Sequence, residues 1–298
     1  MKLVRENFVP VALGFLNGGG GNSLGAQTPS GKALSGELRE ALKKWKDLPD
    51  DERRKVEPPK VDPPRLPPGG LAIRVYMRPL KGTPGGDPQR ISEEEIRKNP
   101  RDYPTWVIDP SEKRFSARLY AEPMGDILWL TAEEVQSLVP RDPQMGAAFA
   151  VPAAVTRRII RMHLKNGTQG WLGYWPQDHV RSATMTLRVE KVAPVLRMRL
   201  EGAVVIADQA DVSQSKIGYQ PQLSGVLDYD PAKKTFTRFD LLALGDTWGP
   251  PGQSSRPGRN PLGIAFELCK GDHPMDQAYP FALYFPGKEA YFRAESGK

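Results

Sequence analysis

Residues 182–191, SATMTLRVEK, and residues 195–207, VLRMRLEGAVVIA, decide the fold. In the first, Met185, Leu187 and Val189 alternate with Thr184, Thr186, Arg188 and Glu190; in the second, Leu196, Met198 and Leu200 alternate with Arg197, Arg199 and Glu201. A period of two sends successive side chains to opposite faces, so each stretch predicts a strand with one face in a core and one in water. Residues 157–165, 222–229, 235–244 and 262–268 also alternate or run apolar, and Gly, Pro or Asp separates most of them. Asp230-Pro231-Ala232-Lys233-Lys234 has the composition of a hairpin turn. Six strands with little helix between them imply antiparallel pairing, in a sandwich or an open barrel.

Working upstream, Leu71, Ile73, Val75 and Met77 alternate with Arg74, Tyr76 and Arg78, which predicts a further half-buried strand. A short helix is predicted after Ser92, over 92–98. Residues 126–130 form a strand that runs into Thr131-Ala132-Glu133-Glu134, a capping box opening a helix to Leu138, where Pro140 stops it. Residues 56–70, VEPPKVDPPRLPPGG, carry three Pro-Pro pairs and favour a semi-rigid extended spacer, so a domain boundary falls there. In front of it, residues 7–16 read as a buried strand and Ser30-Gly31-Lys32 as a turn. Leu38, Leu42, Trp45 and Leu48 mark one face of a helix. The expected organisation is residues 1–55, a linker over 56–70, and a β domain over 71–298.

Composition excludes several chemistries. There is no run of about 18 apolar residues, so no membrane-spanning helix is expected. The first 25 residues imitate a signal peptide, but Glu6 beside the apolar run, Pro10 within it and four glycines after it favour a buried strand. One cysteine, Cys269, rules out an internal disulfide, a CxxC pair and a cysteine-built zinc site, and it leaves the compartment open. His163, His179 and His273 show no metal spacing, so no metal and no cofactor is expected. Gly21-Asn22-Ser23-Leu24-Gly25 matches a nucleophile elbow, but Ala26-Gln27-Thr28-Pro29 does not start the helix that the elbow needs. Residues 25–32, GAQTPSGK, approach a phosphate loop with one residue too many, and Ala33 stands where a magnesium-binding hydroxyl belongs.

Charge is distributed unevenly. Nine Lys or Arg between residues 151 and 200 face only Asp178 and Glu190, so this window carries the whole net charge of +7. On a strand, Arg157, Arg161, His163 and Lys165 share a face, and Arg188, Arg197 and Arg199 extend it on neighbouring strands. Trp171, Tyr174 and Trp175 lie between them and are able to stack on a base or a sugar ring. The alternative is a solvated sheet face whose aromatics close one end of the core. The long connection from Gly245 to Asn260 contains Asp246 and Trp248, and loops of this length are often functional. With Asp272 and His273, Asp246 forms the candidate acid–base set; Trp248 is either a ligand platform or an anchor of the loop.

The front segment resembles the back half of a thioredoxin-like domain: FVPVAL (8–13) a central strand, TPSGKAL (28–34) the terminal hairpin, SGELREALKKW (35–45) the last helix. Residues 238–249, RFDLLALGDTWG, and 261–268, PLGIAFEL, are similar to β-rich regions that follow such segments in uncharacterised bacterial proteins. The resemblance implies an incomplete thioredoxin-like ββα piece in an α+β chain, without thiol–disulfide chemistry because the CxxC helix has no counterpart. It also implies that Met1 is not where the domain begins, with roughly 60 residues of βα structure upstream and export if a leader has been lost.

The function expected from these residues is a non-catalytic binding or scaffolding module that presents a basic, aromatic surface to an anionic or carbohydrate partner. An enzyme using the 245–260 loop is the second reading, and nucleic-acid binding the third, although no nucleic-acid signature accompanies the basic stripe.

Overall fold

A computed structural model describes residues 63–82, 86–99, 101–103, 120–167, 174–249, 256–283 and 287–293, together with Lys43, Asp47 and Pro49. Lys43 and Asp47 are helical, within the stretch where a helix was expected. The remainder of the thioredoxin-like segment, both glycine motifs and Trp171 lie outside the described residues.

The β-rich part is one all-antiparallel sheet. Its strands are β1 (Leu71–Lys81), β2 (Gln89–Arg90), β3 (Met124–Leu130), β4 (Ala148–Ala150), β5 (Val180–Lys191), β6 (Leu196–Ala207), β7 (Gly218–Asp230), β8 (Thr235–Trp248) and β9 (Asn260–Leu268). β4 to β9 pair in chain order as a meander; β1 then pairs β9, and both β2 and β3 pair β1. Four short α-helices are described over their whole length: α1 (Glu93–Lys98), α2 (Ala132–Ser137), α3 (Ala153–Arg158) and α4 (Lys288–Phe292). Among the described residues no helix is long and apolar enough to cross a membrane.

Alternation explains the layers. Met185, Leu187 and Val189 of β5, Leu196, Met198 and Leu200 of β6 and Leu262, Ile264 and Phe266 of β9 all enter one core cluster. The intervening Arg188, Arg197 and Glu201 are exposed. α1 is capped by Ser92, and α2 by the expected box, with Thr131 and Glu134 bonded reciprocally. β3 is buried on both faces: Leu128 and Leu130 join the main core, while Ile127 and Trp129 join Met162, Ala282, Leu283 and Tyr291 in a second cluster. Cover on both sides accounts for the unbroken apolar run of residues 127–130. The C-terminal residues therefore close the outer side of β3.

Two expectations need correction. Residues 157–165 are not a strand: Ala153 to Arg158 is α-helix and Ile159 to His163 continues as a π-helical turn, with the amide of Leu164 donating to the carbonyl of Ile159 at 3.0 Å. The helical period starts upstream of the window that reads as a strand, with Val155, Ile159 and Met162 at i, i+4 and i+7. The turn packs between both apolar clusters, so the alternation of Ile160, Met162 and Leu164 with Arg161, His163 and Lys165 does not separate a wet face from a dry one. The long connection is also shorter than expected. β8 runs on through Asp246, Thr247 and Trp248, opposite Gln220, Tyr219 and Gly218 of β7, and β9 begins at Asn260.

Candidate functional site

Helix α3 starts after Pro152 with Ala153 and Ala154, which lose little on entering a helix. Its last turn presents Arg157 and Arg158, and the π turn then adds Arg161, Met162 and His163. Such turns are rare and occur frequently at functional sites. Here the turn sits where β3, α4 and the chain beyond His163 meet.

On its inner side lies a buried polar network. Arg158 donates through Nε to the carbonyl of Tyr291 at 2.9 Å and through Nη1 to the carbonyl of Trp129 at 3.2 Å, and it pairs with Glu134. The Tyr291 hydroxyl accepts from the Trp129 amide at 2.8 Å and lies 3.3 Å from His163 Nε2. His163 Nδ1 is 3.2 Å from Asp126 Oδ2, while Asp126 Oδ1 accepts from the amides of Ile127 at 2.8 Å and Phe281 at 3.0 Å. Lys165 lies over the Phe281 ring at 5.2 Å.

The electrostatics keep Asp126 ionised and His163 neutral. Burial pushes the Asp126 carboxyl up, but His163, Lys165 and the Phe281 amide together pull it below its ordinary value. Burial drives the His163 imidazole down, Asp126 opposes, and Lys165 and Arg158 add to the lowering. Burial likewise lowers the Lys165 ammonium, against the attraction of Asp126. The Tyr291 hydroxyl donates to the carbonyl of Trp129 at 3.4 Å, while His163 Nδ1 and Asp126 Oδ2 face each other at ion-pair distance, neither with a hydrogen-bond partner. Asp126, His163 and Tyr291 follow one another in contact, but His163 is fully buried and Tyr291 is 1% exposed, so a substrate has no approach. It works as a clamp between β3, the π turn and α4.

The outer side of the same elements is open. Arg157 and Arg161 from one wall and Arg293, just past α4, from the other line a surface cleft, with Arg158 and Tyr291 at its base. Ala154, Met162 and Ala290 complete it, and no acidic side chain lines it. Arg161 is committed through Nε to the carbonyl of Trp175 at 2.8 Å and lies over the Tyr174 ring at 5.4 Å. Arg293 pairs with Glu289 at 2.9 Å, an exposed pair one helical turn apart. Arg157 is half-buried, and its Nε is enclosed without a hydrogen-bond partner.

The expected basic face is thus divided. Arg161, His163 and Lys165 are buried instead of sharing a solvent-facing strand with Arg157, because each has found interior partners. Arg188, Arg197 and Arg199 do lie on neighbouring strands, with Arg188 opposite Arg199. Arg197 is bidentate to Asp228 at 2.7 and 2.8 Å, Arg199 pairs with Glu190, and Arg188 bonds the carbonyl of Gly146. That face is a lattice of ion pairs, close to the solvated-surface alternative. Of the aromatics, Trp175 is buried with its indole N–H on the carbonyl of Leu164, and Tyr174 is half-buried.

Trp248 is an anchor. Its ring lies against Gly218, where a Cβ would come within 2.2 Å of it, its Nε1 donates to the carbonyl of Ser215 at 3.1 Å, and Arg259 stacks at 3.7 Å. Asp246, Asp272 and His273 do not converge. Asp246 stands opposite Pro261, near the start of β9, while Asp272 and His273 follow its other end, roughly 20 Å away along the strand. Asp272 lies 3.6 Å from the guanidinium of Arg74, and His273 Nδ1 accepts from the amide of Met275 at 3.1 Å. Among the described residues no group of three or more His, Cys, Asp or Glu is placed to hold a metal ion.

Asp126, Glu134, Tyr291 and Arg293 complete the network and the cleft; none was a candidate site residue, and Glu134 was legible only as part of a helix cap. Asp126 was legible only as a carboxylate leading an apolar strand; the partners of Arg158 lie 24 and 133 positions away, beyond any local pattern. No protein-family model, no curated protein and no solved structure matches this chain.

Proposed function

We propose that the chain is a non-catalytic binding module, and that its ligand is an anionic group seated in the cleft between α3 and α4. The supporting observation is Arg157: a half-buried guanidinium without an acceptor for its Nε–H, lining a cleft that holds further arginines and no carboxylate. The Nε itself is closed to solvent, so an oxyanion in the cleft meets this guanidinium through its terminal nitrogens, in charge-assisted bonds. The acid–base reading loses support from the separation of Asp246 and His273. The carbohydrate half of the reading loses two of its platforms, since the faces of Trp175 and Trp248 are covered. Polyanion binding by the outer sheet face gains little from Arg197 and Arg199, whose forks are already occupied.

The test is calorimetric titration of small oxyanions into the full chain, with Arg157→Gln and Arg188→Gln compared with the parent. Saturable binding lost in Arg157→Gln and kept in Arg188→Gln supports the module; no binding, or equal loss in both, removes it.

A further inference from the structure

We infer that the ligand group is a tetrahedral oxyanion of the phosphate class and that it bridges α3 to α4, fastening the C-terminal helix to the β domain. This rests on the binding reading above and names its ligand. The cleft has cationic groups on two walls. Arg157 stands on the α3 side, beside Arg161, which is already held by the carbonyl of Trp175, and Arg293 stands on the other. A carboxylate is planar, and its two oxygens suit one guanidinium fork. A phosphate group directs three strong acceptor oxygens toward different sides and carries more charge, so it reaches both walls at once.

The base of the cleft is set for this. Arg158 is neutralised by Glu134 and tied to the carbonyls of Trp129 and Tyr291, so it holds the walls at a fixed separation without competing for the ligand. On the α4 side, Arg293 and Glu289 are 71% and 81% exposed. An ion pair in water contributes little, so Arg293 can exchange Glu289 for a better acceptor at small loss. Ala154 and Ala290 leave the approach unobstructed by long side chains. Because one wall belongs to the C-terminal segment, a ligand that touches both walls binds only while α4 is docked. By linkage it then holds α4 in place.

Hydrogen exchange of the full chain tests this in inorganic phosphate, in phenyl phosphate and in acetate, at matched pH and ionic strength, with calorimetry alongside. Phosphate slows exchange over residues 154–162 and 288–293, and acetate does not. Arg157→Gln removes the slowing, Arg157→Lys restores only part of it because an ammonium lacks the fork, and Arg293→Gln weakens phosphate about tenfold or more and removes the added protection of residues 288–293. Phenyl phosphate acting as well as phosphate assigns the site to a phosphate ester; phosphate acting alone assigns it to the free oxyanion. Acetate binding and protecting equally overturns the phosphate class, and phosphate binding without protection of residues 288–293 overturns the bridge, in both cases with the anion reading intact. Absence of binding by every anion overturns both.

Discussion

Arg158 Nε donates to the carbonyl of Tyr291 at 2.9 Å, joining residues 133 positions apart into the base of one cleft. The same guanidinium reaches Trp129 and Glu134, so it ties three separate stretches of chain together while 4% exposed. Glu134 also closes the capping box of α2. Glu134→Ala therefore leaves a buried charge unpaired and removes half of a cap, and unfolding in urea should show a loss of about 3–5 kcal/mol. Combining Arg158→Met with Glu134→Leu should recover much of that loss. Equal instability of the double variant would mean that the carbonyl bonds, and not the ion pair, dominate.

Stability should depend on the protonation of His163. In the fold the imidazole stays neutral below its ordinary value of 6.5, because of burial first and of Lys165 and Arg158 next, against Asp126. The unfolded chain takes up a proton as pH falls through 6.5 and the folded chain does not, so the unfolded state binds more protons there. Stability is thus full above that value and declines as pH falls below it, by at most about 1.4 kcal/mol per pH unit from this group. The carboxyl of Asp126 adds a further decline only below its ordinary 3.8. Denaturation midpoints between pH 7 and 5 should slope in the parent and flatten in His163→Gln; parallel slopes would exclude His163 as the source.

Cys269 should be chemically inert. Burial raises its thiol first, and the hydrogen bond to Asp276 raises it further, to about 12. At pH 8 the thiolate is roughly one part in ten thousand, and the thiolate is the nucleophile. An aromatic disulfide reagent should label the folded chain far more slowly than the chain in denaturant; equal rates would place Cys269 outside the Arg74–Asp276 environment.

Gly218 is required by Trp248. A methyl group there meets the indole at 2.2 Å, and adjacent backbone leaves it no room. Gly218→Ala should cost about 1–3 kcal/mol and shift the tryptophan emission as the ring is displaced. A variant with unchanged stability and emission would show that the ring does not rest on this strand.

Local chemistry was legible in the sequence, and convergence was not. β5 and β6 could be read because one face of each meets a core, which forces strict alternation on Met185 to Val189 and Leu196 to Leu200. The caps at Ser92 and Thr131 could be read because their bonds reach three residues. Residues 157–165 were misread because Arg158, Arg161 and His163 are interior, partnered by Tyr291, Trp175 and Asp126 from elsewhere in the chain. The net positive window was correctly located between residues 151 and 200, but its arginines divide between a helix beside α4 and an ion-paired sheet face. Nothing in the spacing of Arg157 and Arg293 announces that they share a cleft.

The central claim is that Arg157 receives an anion, and its own side chain is the most direct witness. With arginine labelled by nitrogen-15, the Nε–H signals can be followed while inorganic phosphate is added at constant ionic strength. A saturable shift and slowed solvent exchange are expected for the Arg157 signal, identified by its absence in Arg157→Gln, with the Arg188 signal unmoved. A stationary Arg157 signal, or a common drift of all the arginines, would contradict it.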